Sequence, residues 1–262
     1  MYDNTLGRWF NVDPLAEKYL NLSPYAYCAN NSISLIDPNG MEFTSAAWVW
    51  IMNMMDYMFQ SYFDNLEKID KWQSMIDGGG LSAGKERRLN RRIDRLTAMN
   101  SEFDVSFNEI MDLTMSSQIY DLKIGGNIPE GADGFINFDE ISGNVVINLK
   151  SGNLGDFAHE LKHAYQFETG QMNLGELYGN FIYDLEDERE AFSRGIAFGS
   201  SKSYQQSKAS YINNGVPAGT WNLWNHNDSR FRLNDPIELQ NFSNMHGIVF
   251  RYKQRTYKPS KK

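Results

Sequence analysis

The sequence predicts an α+β fold: a histidine-bearing helix beside a small antiparallel or mixed sheet, a second, acidic helix, and an N-terminal helical region. Three observations predict it. Gly134-Phe135-Ile136-Asn137-Phe138 and Asn144-Val145-Val146-Ile147-Asn148-Leu149 are strand-like runs on either side of Asp139-Glu140-Ile141-Ser142-Gly143, which reads as a hairpin loop. Directly after them Leu154, Phe157, Ala158, Leu161 and Tyr165 recur at steps of three and four, the spacing of a helix with one apolar face. Residues 184–195 form a second helical stretch in which Asp184, Glu186, Asp187, Glu188 and Glu190 are packed together.

The first of these helices has a plausible cap at Asn153 or Asp156 and a stop at Gly170. It contains His159-Glu160-Leu161-Lys162-His163, two of the four histidines in the chain. Residues four apart share a helix face, so the two imidazoles can reach one metal ion. Glu160 projects about a hundred degrees around from His159, where it can reach a metal-bound water without being a ligand itself. That is the place of a general base. The single cysteine, Cys28, excludes both an internal disulfide framework and a cysteine-based zinc site. Histidines and carboxylates remain as ligands.

Composition narrows the function classes. At 262 residues the chain can bury one sizeable core, or a catalytic domain with a smaller N-terminal attachment, and an apolar fraction of 41% argues against general disorder. A formal charge of −8 gives no broad attraction to nucleic acid, so no nucleic-acid partner is expected. The apolar run from Ala46 to Phe63 is interrupted by Asn53, Asp56 and Gln60, which argues against a stable membrane span. Met1-Tyr2-Asp3-Asn4 carries neither a basic leader nor an apolar core, so no signal peptide is expected here.

Three segments follow in order. Residues 1–42 are turn-rich, with breaks at Asp13-Pro14, Ser23-Pro24 and Asp37-Pro38-Asn39-Gly40. Residues 43–100 read as a helical connector. Trp48, Met52, Met55, Phe59 and Phe63 mark the apolar face of one helix, Gly78-Gly79-Gly80 ends it, and a basic helix with Arg87, Arg88, Arg91, Arg92 and Arg95 follows. That basic face reads as solvated and paired with the acidic remainder; its alternative is a nuclease-like contact with nucleic acid. Residues 101–262 form the site-bearing domain, with a further helix around Phe107, Ile110, Met111 and Leu113, a short strand at 119–124, and a strand-like run at 247–252 near the C-terminus.

The turn-rich segment contains specific words: Leu6-Gly7-Arg8-Trp9, Val12-Asp13-Pro14-Leu15-Ala16-Glu17-Lys18-Tyr19, Ser23-Pro24-Tyr25-Ala26-Tyr27 and Ile36-Asp37-Pro38-Asn39-Gly40. Together they resemble the C-terminal end of the Rhs/YD-repeat core, a bacterial family whose β-rich shells enclose a variable C-terminal toxin. The resemblance implies a toxin cassette from about Met41 or Glu42 onward, self-cleavage near that junction with Asp37 as a candidate, delivery by a specialised secretion system, and an immunity protein as partner. Asp37 also reads as a turn residue before Pro38.

Glu188-Arg189-Glu190-Ala191 resembles the E-x-x-A word of glutamate zincins, and a strand leading into the histidine helix is similar to zincin metallopeptidases. This resemblance implies a zincin-like fold, Zn2+ as cofactor, and Glu188 as third ligand beside His159 and His163. Asp184, Glu186, Asp187 and Glu190 stay open as alternatives. Asp184 would share the face of Glu188, whereas Glu190 projects about two hundred degrees away, towards solvent. Relatives often carry Asp where this chain has Phe192, which leaves the carboxylate that would orient the histidines unassigned; Asp184 or Asp187 could serve instead. The implied reaction is hydrolysis of a peptide bond in a protein or peptide substrate, with Glu160 as base. Tyr178, Tyr183, His226 and His246 are candidates to stabilise the oxyanion. The alternative is a non-catalytic binding or adhesion module on the same scaffold, using the aromatic 46–63 helix.

Overall fold

A computed structural model describes residues 2–3, 8–9, 43–126, 128–175, 183–213, 236–247, 249–252 and 255–260. The chain divides into two compact units, Met1–Met41 and Glu42–Lys262. In the first, β1 (Tyr2–Asp3) pairs antiparallel with β2 (Arg8–Trp9). The remaining words of the Rhs-like segment, Asp37 and the Met41–Glu42 junction lie outside the described residues.

The second unit opens with a long helical hairpin, α1 (Ser45–Asp77) and α2 (Ala83–Thr114). Thr44 caps α1 by accepting from the Ala47 N–H, and its own N–H donates to the Tyr120 carbonyl at 2.9 Å. Gly79 and Gly80, at φ +71° and +75°, supply the left-handed backbone that turns the chain back. The expected division at residue 100 falls inside α2, so 43–100 is no separate connector. No helix breaker interrupts this stretch. Asn100 turns inward to accept from Asn65 at 2.9 Å, and Phe103, Ile110 and Leu113 continue the same buried side.

The buried stripe of α1 differs from the expected one. Ala47, Ile51, Met54 and Met58 face the core, Trp48 and Met55 are half-buried, and Met52, Phe59 and Phe63 are exposed. The helix is apolar on more than one side, so spacing alone leaves the packed stripe undetermined. Phe63 retains 66% of its accessible surface.

The main sheet has the order β3-β5-β4, from β3 (Tyr120–Ile124), β4 (Gly134–Phe138) and β5 (Val145–Leu149). Strand β3 runs parallel to β5, with Tyr120 opposite Val145, and β4 runs antiparallel to it, with Gly134 opposite Leu149. The sheet is therefore mixed, one of the two expected forms. Central β5 is almost wholly buried, which suits its run of Val145, Val146 and Ile147. After a four-residue link α3 (Leu154–Thr169) begins, capped by Asn153 accepting from Gly155 and Asp156, and ended by Gly170 at φ +79°. This short link returns α3 against β5 and β4.

Helix α4 (Leu185–Ala197) starts in a capping box: Asp184 accepts from the Asp187 N–H while the Asp187 carboxylate accepts from the Asp184 N–H. It packs along α3 at close range. A Cβ on Gly155 would meet the Ser200 backbone nitrogen at 2.5 Å, and one on Gly195 would meet the Gly155 carbonyl at 3.1 Å. Phe198, just past α4, sits 5.2 Å from Phe103 of α2 and 5.7 Å from Tyr57 of α1, while Trp50 of α1 meets Phe157 of α3 at 5.6 Å. These rings join four helices into one core.

The remaining elements are α5 (Tyr204–Asn213), α6 (Pro236–His246), β6 (Leu174–Gly175), β7 (Phe250–Tyr252) and β8 (Arg255–Tyr257), the three strands forming an antiparallel sheet in that order. Arg251 lies 4.1 Å over the Phe138 ring and donates to Gln118 at 2.7 Å, linking this sheet to the first. Among the described residues no helix is long and apolar enough to cross a membrane.

Gly155→Ala forces its methyl group against backbone that no side-chain rotation can clear. The expected result is a loss of about 1–3 kcal/mol of stability, as for overpacked cores. Urea unfolding checks it, an unchanged midpoint being the contrary result.

Candidate metal centre

His159 and His163 lie one turn apart on α3, and the capping box starts α4 so that Glu188 falls in its first turn opposite them. The Glu188 carboxylate reaches both rings: Oε2 is 3.6 Å from His159 Nε2 and Oε1 is 3.3 Å from His163 Nε2. One ligand atom from each residue lies within 4.8 Å of the other two, so the three could hold a metal ion. His163 and Glu188 are buried and His159 is half-buried. Glu188 Oε2 has no hydrogen-bond partner despite its burial. A carboxylate oxygen withdrawn from water and left unbonded is costly, and a cation between the three side chains would satisfy it. Two imidazole nitrogens and a carboxylate are a suitable donor set for zinc.

Of the open alternatives, Glu186 is exposed and paired with Arg189, and Asp184 and Asp187 are engaged in the α4 cap. Glu190 was expected to face solvent. It turns instead towards α3, 3.3 Å from Lys162 Nζ and 3.2 Å from Gln166 Nε2.

The histidine supports also differ from expectation. The side chain on His163 Nδ1 is Gln166, at 2.8 Å, rather than Asp184 or Asp187. The Ala191 backbone acts on His159 in favour of its charged form, and Phe192 lies edge-on to its ring at 4.7 Å. Gln166 stands three residues after His163 on the same helix, a spacing that could have flagged it. The Ala191 backbone carries no signal in sequence. Tyr183 donates its hydroxyl to Glu188 Oε1, which places it beside the ligands. Tyr178, His226 and the His246 side chain lie outside the described residues.

Glu160 is buried against β4. A Cβ on Gly134 would come within 2.8 Å of Glu160 Cγ and Oε1, so this strand position accommodates the carboxyl group because it has no side chain. Burial pushes the Glu160 pKa up to about 8, with the negative charges of Glu188 and Asp156 acting in the same direction against the charge of His163. Burial and the neighbouring His163 charge lower His159 to about 4. For His163 burial works against the charged form, yet the hydrogen bond and charge of Glu188, aided by Glu160 and Gln166, lift it to about 9. Burial alone would raise Glu188; His163, His159 and Tyr183 hold it at about 2.

No family model, curated protein or solved structure matches this chain.

His163 and Glu188 form an ion pair. Because the His163 pKa is raised, the stability it contributes is present below its unfolded value of 6.5 and is lost as pH rises through about 9. Ionising Glu160, whose pKa is raised by burial, also opposes folding as pH rises from 4.5 through about 8. A metal competes with the His163 proton, so its affinity changes in the opposite sense. The melting temperature of metal-free protein is expected to fall between pH 6.5 and 9, while the increment given by zinc grows. Scanning calorimetry with and without zinc checks both trends; an increment that shrinks with rising pH contradicts this assignment.

Proposed function

We propose that the chain is a zinc-dependent metallopeptidase, the toxin part of an Rhs-type polymorphic toxin. The observation that carries the enzymatic reading is the convergence of His159, His163 and Glu188 from two helices, with Glu160 buried on the next residue. The mixed sheet leading into α3 supports the zincin-like interpretation, and the words in residues 6–40 support the Rhs-type setting, with an immunity protein and delivery machinery as partners.

Zinc would polarise the scissile carbonyl and acidify a water molecule. Glu160 takes the proton of the attacking water and returns it to the leaving amine, the two transfers a carboxyl group beside the ligands can make. Tyr183 is the described donor beside the ligands from which the developing oxyanion could accept. Strand β4 is an end strand of its sheet and its Gly134 adjoins Glu160, so a peptide laid along that strand would pass the base. This supports a peptide as substrate.

Purified protein is expected to contain one zinc per chain by elemental analysis, and His163→Ala to lose it. Glu160→Gln should retain zinc while cleavage of a peptide library, followed by mass spectrometry, falls about 10²–10⁴-fold. Full cleavage by Glu160→Gln removes the proposed base.

The exposed Val49, Phe59 and Phe63 of α1 favour a second reading, a non-catalytic binding module on the same scaffold. Partner capture that survives Glu160→Gln and is lost in Phe63→Ser would select it.

A further inference from the structure

Gln166 is fully buried, with its Oε1 2.8 Å from His163 Nδ1. By itself this contact is ambiguous, because an amide can be turned over and a ring can carry its proton on either nitrogen. The opposite end of the amide removes the ambiguity. Gln166 Nε2 lies 3.1 Å from the Asp187 carbonyl oxygen and 3.2 Å from Glu190 Oε2, both acceptors, so that end is the NH2 group. The end facing His163 is then the carbonyl oxygen, which can only accept. His163 Nδ1 carries a hydrogen, and Nε2 points at Glu188.

The amide is itself held from behind. Glu190 pairs with Lys162, whose ammonium sits 2.7 Å from Glu109 Oε1. The other Glu109 oxygen takes Arg194 Nη2 at 2.6 Å, and Arg194 Nε reaches Glu102 at 2.6 Å. Lys162, Glu109 and Arg194 are all buried. One carboxylate on α2 thus holds a cation from each of the helices that carry the ligands.

We infer that Gln166 is a positioning residue of the metal centre: it fixes His163 with hydrogen on Nδ1 and Nε2 left to bind metal, and Glu190, Lys162 and Glu109 keep its amide in that sense. The inference rests on the proposed metal site. Gln166 accepts the same bond whether His163 carries one ring proton or two, so metal uptake requires no turning of the amide.

The test compares wild type, Gln166→Met and Gln166→Glu. Zinc affinity is measured by competition with a chromogenic chelator, and histidine ring 15N shifts are recorded on the zinc-loaded proteins. Wild type should show His163 with hydrogen on Nδ1 and metal on Nε2. Gln166→Met, of similar length but without the acceptor, should bind zinc about 10–100-fold more weakly. Gln166→Glu keeps the acceptor facing His163 and, sharing a proton with the adjoining Glu190, still donates at its other end, so it should recover most of that loss. Equal affinity in wild type and Gln166→Met, or equal losses in both variants, overturns the positioning role alone. A wild-type ring with metal on Nδ1 overturns it as well, and decides the matter where Gln166→Met does not fold. Wild type that takes up no zinc overturns the metal centre and this role together.

Discussion

Ligands drawn from two helices meet at one point only if the helices are held at a short and constant separation, and the contact between α3 and α4 supplies that here. Gly155 and Gly195 allow the backbones to approach where α3 begins and α4 ends. Gln166 ties the opposite end of the contact by donating to the Asp187 carbonyl. Between these two points Glu188 faces His159 and His163. Behind them Glu109 grips Lys162 and Arg194 with separate oxygens. A buried charge deprived of its partner costs on the order of 3–5 kcal/mol, so the cluster opposes sliding of either helix. The long hairpin of α1 and α2 thereby belongs to the site-bearing unit in energetic terms as well as in contact.

The charges around the ligands conflict until a cation is added. Glu160 and Glu188 are buried near each other, and burial alone would favour the neutral form of both. His163 supplies compensating positive charge, because Glu188 raises its pKa well above the ordinary histidine range. The His163 proton ties up the nitrogen facing Glu188, while Glu188 Oε2 is left without a hydrogen bond. A divalent cation between the three side chains would replace the proton, supply more charge and satisfy the unbonded oxygen. Glu160 differs from these three side chains in its surroundings: it lies against the bare backbone of Gly134, and burial raises its pKa to about 8.

Much of this arrangement was legible in the residue order. Helical spacing, the Asn153 cap and Gly170 located α3, and the four-residue step placed both histidines on one face. The alternation around Asp139–Gly143 located the hairpin. The run of carboxylates marked α4, and the resemblance of Glu188–Ala191 to the E-x-x-A word favoured Glu188 among its acids, because these signals are local and act within one or two turns of chain. Less was legible in α1, where apolar residues on several sides left the buried stripe undetermined, and in α2, where no breaker marked the supposed boundary.

Tertiary structure decided what depends on groups distant in sequence. Asp184 and Asp187 were the expected supports of the histidines, but both are committed to the α4 cap, and the approach of α4 to α3 leaves Gln166 as the side chain on His163. Glu190 was placed in solvent by helix geometry alone; Lys162 and Gln166 on the neighbouring helix draw it inward. The sequence by itself determined that His159 and His163, as candidate ligands, share one helix face and that a carboxylate-rich helix follows them, since helical periodicity is a property of neighbouring residues. Which groups orient those ligands was determined only by packing, because a hydrogen-bond partner from another helix, or from the main chain, leaves no pattern in the order of residues.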